Sequence, residues 1–143
     1  MIRVVIDTNV FVSSFFGGNP RKIIDLWKNG SIVLCLSQEI IEEYLAVLNR
    51  LGLDNTKEIS NLTRLFAEGY NSIFTAKTSK LEVVKEDVED NKFLECAVAL
   101  NSKIIVSGDK HLTSIRKYID IVIMSPHEFI ECHNFRLNND ILN

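Results

Sequence analysis

Two aspartates follow short apolar runs directly: Asp7 after Val4-Val5-Ile6, and Asp109 after Ile104-Ile105-Val106-Ser107-Gly108. A charge set against a buried strand is costly unless something compensates it. For one such aspartate, a turn or helix cap competes evenly with a binding role. Two acids at the ends of two strands favour a ligand site. Helix geometry selects two more. A helix beginning near Gln38 advances about 100° per residue. It turns Ile40, Ile41, Tyr44, Leu45, Leu48 and Leu51 to one broad face and sets Glu43 at its edge, beside Val47. Glu39 and Glu42 point away, to solvent. Alone, Glu43 would read as a border carboxylate pairing with a Lys or Arg. A later helix over 90–101 turns Phe93, Leu94, Ala97 and Leu100 inward, with Asp90 on the same face in its first turn. Glu89 and Glu95 lie away from that face. Complementing the helix dipole explains an acid in a first turn, but not its inward direction.

Four carboxylates converging on one place cannot all stay ionised without positive charge. A bound cation solves this economically, and all-oxygen ligands select Mg²⁺ or Mn²⁺ over Zn²⁺. Such ions activate a water and stabilise the charge that develops on a phosphate during in-line displacement. They also reverse the local sign of an acidic site, so that it can receive a polyanion.

These acids need a frame. Residues 2–6, 32–36, 73–76, 103–106 and 120–123 read as short apolar strands. Helices are expected from Asn19-Pro20 to Trp27, from 38 to 50, from 54 or 56 to 70, from 90 to 101, from 111 to 117, and from Ser125-Pro126 to Cys132. Alternating β and α segments of this kind give an α/β fold with a mostly parallel sheet of four to five strands. Ligands then bind outside the carboxyl ends of the strands, where the strand order reverses. One domain over 1–133 is expected, with a polar, fraying tail over 134–143.

Composition narrows the class. The chain has 143 residues, 46% of them hydrophobic, which provides one core. The net charge is −3, whereas proteins that grip duplex nucleic acid by charge alone are basic. Much of the acidity lies between Lys80 and Glu95, where Lys80, Lys85 and Lys92 face Glu82, Glu86, Asp87, Glu89, Asp90 and Glu95. That run reads either as a solvated loop or as a carboxylate supply for a metal. Cys35, Cys96 and Cys132 are far apart and read as buried thiols in a reducing cytosol. The opening MIRVVIDTNV has no leader signature, and no apolar stretch approaches the roughly 18 residues that span a membrane. A cytoplasmic location is expected. Trp27, Phe11, Phe15 and Phe16 are expected to be mostly core, with a dimer interface as the alternative.

The same residues carry a resemblance. VVIDTNVFVS resembles the first motif of PIN domains, SQEIIEEYLAVL the second with Glu43 in the acidic slot, EDVEDNKFLECAVA the third with Asp90, and IIVSGDKHL the fourth with Asp109. The motifs stand in order over about residues 2–130 and look most like the toxin components of prokaryotic toxin–antitoxin systems. The resemblance implies a three-layer α/β/α sandwich, Mg²⁺- or Mn²⁺-dependent cleavage of RNA, a homodimer, and a small antitoxin partner. It implies that Asp7, Glu43, Asp90 and Asp109 hold metal, with Asn9 and Ser107 as supporting polar groups or local turn caps. Many members carry another acid two residues after the fourth motif's Asp. His111 stands there, and a neutral imidazole binds Mg²⁺ poorly. One metal position is therefore expected, with His111 as a phosphate contact, an Mn²⁺ ligand, or a solvent-exposed loop residue.

Other functions fit less well. A haloacid-dehalogenase-type phosphatase needs a second Asp two residues after the first, where Asn9 stands. A flap-type DNA nuclease needs a longer chain for its helical arch. A non-catalytic PIN-like module that binds RNA or protein is the main alternative.

Overall fold

The computed structural model describes residues 1–142. In chain order the elements are β1 (Ile2–Ile6), α1 (Thr8–Ser13), a 3₁₀ turn (Ser14–Phe16), α2 (Gly18–Lys28), β2 (Ile32–Ser37), α3 (Gln38–Arg50), α4 (Lys57–Glu68) and β3 (Ser72–Thr75). There follow a 3₁₀ turn (Val88–Asp90), α5 (Asn91–Ala99), β4 (Ile104–Val106), α6 (Lys110–Thr113), β5 (Lys117–Tyr118), β6 (Ile121–Met124) and α7 (Pro126–Leu142).

The strands form one sheet in the order β3-β2-β1-β4-β6-β5, parallel except for the β5–β6 pair. Val4, Val5 and Ile6 of β1 are wholly buried, as a central strand covered on both faces requires. The chain runs outward from β1 through β2 to β3, then returns to β4 on the other side of β1. Right-handed crossovers therefore carry α5 to the face opposite α1–α4, where it packs on β1, β2 and β4. On the first face, Phe11 stacks on Tyr44 with ring centroids 4.0 Å apart, and Trp27 meets Phe66 at 5.6 Å. The Tyr44 hydroxyl donates to the Ile6 carbonyl, tying α3 to the end of β1. The strand order reverses between β1 and β4, whose carboxyl ends lead to Asp7 and Asp109.

Several expectations change. The sheet has six strands rather than four to five, because β5 joins β6 through a two-residue hairpin at Ile119-Asp120. Ile119 takes a positive φ of 57° there, and a two-residue strand carries no hydrophobic period to read. Helix α7 runs from Pro126 to Leu142, past residue 133, where the polar tail is expected to begin; Asn143 lies outside the described residues. Ser125 and Glu128 form a reciprocal capping box at the start of this helix, each side chain bonded to the other's backbone N–H at 3.1 Å. No glycine or proline interrupts the helix afterwards, and it packs on α2. Cys132 is exposed while Cys35 and Cys96 are buried. Of the four aromatics, Phe11 and Trp27 are core, Phe15 packs against it, and Phe16 is 74% exposed. Helix α3 buries a narrower stripe than its periodicity suggests: Ile40, Tyr44 and Leu48 are buried, whereas Leu45 and Leu51 are exposed. No helix among the described residues is long and apolar enough to cross a membrane.

Candidate active site

A cleft of about 200 Å³ opens at the carboxyl ends of β1 and β4, and Asp7, Glu43, Asp90 and Asp109 all line it. Each acid arrives by a different local device. Asp7 caps α1, accepting from the Val10 N–H at 2.8 Å, and its other oxygen accepts from the Ser107 hydroxyl. Burial raises its carboxyl above the usual range; those hydrogen bonds oppose the rise and the Asp109 carboxylate adds to it. Asp109 caps α6 through the His111 N–H at 2.8 Å, and its own N–H donates to Ser107 Oγ at 3.0 Å. For these two acids, capping and facing the cleft are compatible, because the cap fixes the carboxylate at the strand end.

Asp90 differs. It ends the 3₁₀ turn before α5, yet its side chain caps nothing. It is 8% exposed, and one carboxylate oxygen is buried without a hydrogen-bond partner. Burial, followed by the nearby carboxyls of Asp109, Asp87 and Asp7, lifts its pKa to about 7. Carboxylate oxygens of Asp87, Asp90 and Asp109 lie within 4.8 Å of one another, enough to hold a metal ion. Asp87 belonged to the acidic run that could be read as a solvated loop. A 3₁₀ turn sets residues three apart on one side, so an Asp-x-x-Asp spacing across such a turn was the available signal.

Glu43 faces the same cleft but is already engaged. One oxygen accepts from the Thr8 hydroxyl, and the other pairs with Lys92 Nζ at 2.7 Å. Lys92 is 8% exposed and also meets Glu89 at 3.1 Å. Burial pulls its ammonium pKa down, but the Glu43 and Glu89 carboxylates outweigh that and raise it. Asn9 is exposed at the rim. His111 pairs with Glu86 at 3.1 Å and does not line the cleft. Arg50 does line it, and it makes no ion pair among the described residues. The stripe Glu43-Val47-Arg50, spaced at i, i+4 and i+7, was the signal for it.

The chain carrying Asp87 is held by α5. Asn91 accepts from the Val83 and Val84 N–H groups at 3.1 and 2.8 Å and donates to the Val84 and Val88 carbonyls at 2.9 and 3.1 Å. Glu95, expected to point outward, is 4% exposed and accepts from the Leu81 N–H at 2.8 Å. Helical periodicity placed it away from the sheet, but the segment 76–87 folds back over it. Asn91→Ala leaves buried backbone groups unpaired, and is expected to cost roughly 2–4 kcal/mol in urea unfolding. Amide exchange at Val83 and Val84 should rise with it. A loss below about 0.5 kcal/mol would mean the segment is held by other contacts.

A covered, mostly parallel sheet with an acidic cleft at its switch point defines an α/β domain with a polar site at its carboxyl edge. Residues 3–111 match the family described as PIN domain, and the chain belongs to that family. It is also similar to an uncharacterised protein of Methanocaldococcus jannaschii, MJ1680, with 37% identity over 145 residues that cover 91% of this chain and 90% of the archaeal protein.

Proposed function

We propose that the chain is a divalent-metal-dependent endoribonuclease that hydrolyses RNA phosphodiester bonds, with Mg²⁺ or Mn²⁺ as its ion. The observation that carries this reading is the Asp87–Asp90–Asp109 cluster, in which a buried oxygen of Asp90 has no partner. The three carboxylates have no cation partner among the described residues, and the donor set is all oxygen, which suits a hard ion. Asp87, Asp90 and Asp109 would hold it. When bound, the ion would activate a water and offset charge on the scissile phosphate.

The chain's own residues do the rest. Asp7, locked by Val10 and Ser107, gives the cleft a carboxylate of fixed direction. Arg50 is placed at the rim to receive a neighbouring phosphate. Arg50→Ala is expected to raise KM for RNA roughly 5–30-fold, the loss of one charge-assisted contact of ~1–2 kcal/mol. The value of kcat should stay within about threefold; an unchanged KM would remove Arg50 from the substrate path. The net charge of −3 supports single-stranded RNA over duplex, since no broad cationic surface is required. The motif resemblance extends the proposal to the toxin of a toxin–antitoxin pair, acting in the cytoplasm as a homodimer and inhibited by a small antitoxin.

The test is incubation of the purified chain with single-stranded RNA, with Mn²⁺, with Mg²⁺, and with a chelator. Cleavage is expected only with an ion. Cleavage that survives the chelator would overturn the proposal. RNA binding without cleavage under either ion would replace it with a binding module.

A further inference from the structure

We infer that Lys92 is a built-in cation occupying the place of a second divalent ion at Glu43, so that the centre takes one ion through Asp87, Asp90 and Asp109. The inference rests on the metal-dependent reading above and specifies its stoichiometry.

The cleft contains two kinds of carboxylate. Both Glu43 oxygens have partners inside the protein: the Thr8 hydroxyl on one, and Lys92 Nζ at 2.7 Å on the other. Lys92 is itself buried to 8% exposure and bridges on to Glu89 at 3.1 Å. Removing an ammonium from water costs several kcal/mol unless it is paired in good geometry. Two carboxylates, Glu43 and Glu89, supply that pairing. The other group is the reverse case. Asp87, Asp90 and Asp109 crowd within 4.8 Å, have no cation among the described residues, and leave one buried Asp90 oxygen unpartnered. One half of the cleft is thus neutralised by the chain and the other half is not.

Topology explains why a lysine can do this. Lys92 lies in the first turn of α5, two residues after Asp90, while Glu43 lies on α3, which packs against α5. The ammonium is therefore delivered between the two helices that border the cleft. Tethered to the chain, it is present at every metal concentration, and it carries one charge where an ion would carry two. Through Glu43, Lys92 acts as a positioning residue.

Counting bound Mn²⁺ by equilibrium dialysis on the full chain tests this. Wild type and Lys92→Arg are expected to bind one ion each. Lys92→Met frees Glu43 and should bind two, and the double variant Glu43→Gln/Lys92→Met should return to one. Glu43→Gln alone should keep one ion with Kd within about threefold of wild type. Two ions on wild type, one ion on Lys92→Met, or a tenfold weaker Kd for Glu43→Gln would each overturn the inference. Two ions on wild type or a tenfold weaker Kd for Glu43→Gln overturns the inference even if Lys92→Met does not fold. RNA cleavage measured in parallel separates the two claims. One ion without cleavage sinks the nuclease reading and leaves Lys92 standing; cleavage with two ions does the opposite. A count of zero overturns both.

Discussion

Asp90→Asn is expected to make the ion-free protein more stable at pH 8 while lowering RNA cleavage by about a thousandfold or more. The two effects have one origin. Burial and the facing carboxyls of Asp109, Asp87 and Asp7 hold the Asp90 pKa near 7, against an ordinary value of 3.8. The native state therefore binds a proton that the unfolded chain has released between about pH 4 and 7, and stability must fall as pH rises through that window. Above pH 7 the native carboxyl is charged too, and the loss is complete. Three pKa units correspond to ~4 kcal/mol, and relaxation around the charge lowers the realised cost to roughly 2–4 kcal/mol. Asparagine resembles the protonated acid and does not titrate. The stability gap between variant and wild type should thus be small at pH 4, open towards pH 7 and stay flat above it. For a domain of this size the full gap corresponds to roughly 5–12 °C in Tm.

The same substitution removes a ligand from the cluster. Mn²⁺ should raise the wild-type Tm and leave that of Asp90→Asn unmoved, because ion binding stabilises only a native state that binds it. In wild type the ion must displace the proton on Asp90, so its affinity should rise with pH up to about 7. Thermal melts in chelator from pH 4 to 8, with single-turnover cleavage at saturating Mn²⁺, check both halves. A variant less stable than wild type at pH 8 would show that Asp90 is not the strained acid of the site.

Asp7 separates scaffold from chemistry. Asp7→Asn and Asp7→Ala should both lose cleavage by about a thousandfold, several kcal/mol of transition-state stabilisation. Their stabilities should differ. Alanine removes the cap on the Val10 N–H and strands the buried Ser107 hydroxyl, costing roughly 1–3 kcal/mol. Asparagine keeps an oxygen to accept from Val10 and sheds a buried charge, so it should stay within about 1 kcal/mol of wild type. Urea unfolding beside cleavage assays distinguishes the two. If the proposal extends to a toxin, induced expression should arrest growth for wild type and not for Asp7→Asn. Cleavage by Asp7→Asn equal to wild type would mean that another nuclease is present.

The parallel sheet was legible because its strands are short, apolar and β-branched, and helical periodicity is strong between them. The acids at strand ends were legible for a related reason: a charge against a buried run stands out, and helix angle alone separates Glu43 from Glu39 and Glu42. The match to the PIN-domain family adds weight to that frame.

Local pattern could not say what neutralises each acid, because that depends on residues distant in sequence. Lys92 lies 49 positions from Glu43, and only the packing of α5 against α3 brings them together. Ser107 lies 100 positions from Asp7, and the β1–β4 pairing joins them. Asp87 belonged to a run readable either as a solvated loop or as a carboxylate supply, and only the Asn91 anchor and the tight turn bring it to Asp90 and Asp109. Sequence by itself determined the mostly parallel sheet, the alternation of its elements and four of the acids that line its open end, Asp7, Glu43, Asp90 and Asp109, since those depend on local propensity and period. Tertiary structure alone decided which of these acids meet a cation of the protein and which are left bare, because electrostatic pairing is set by distances that only folding creates.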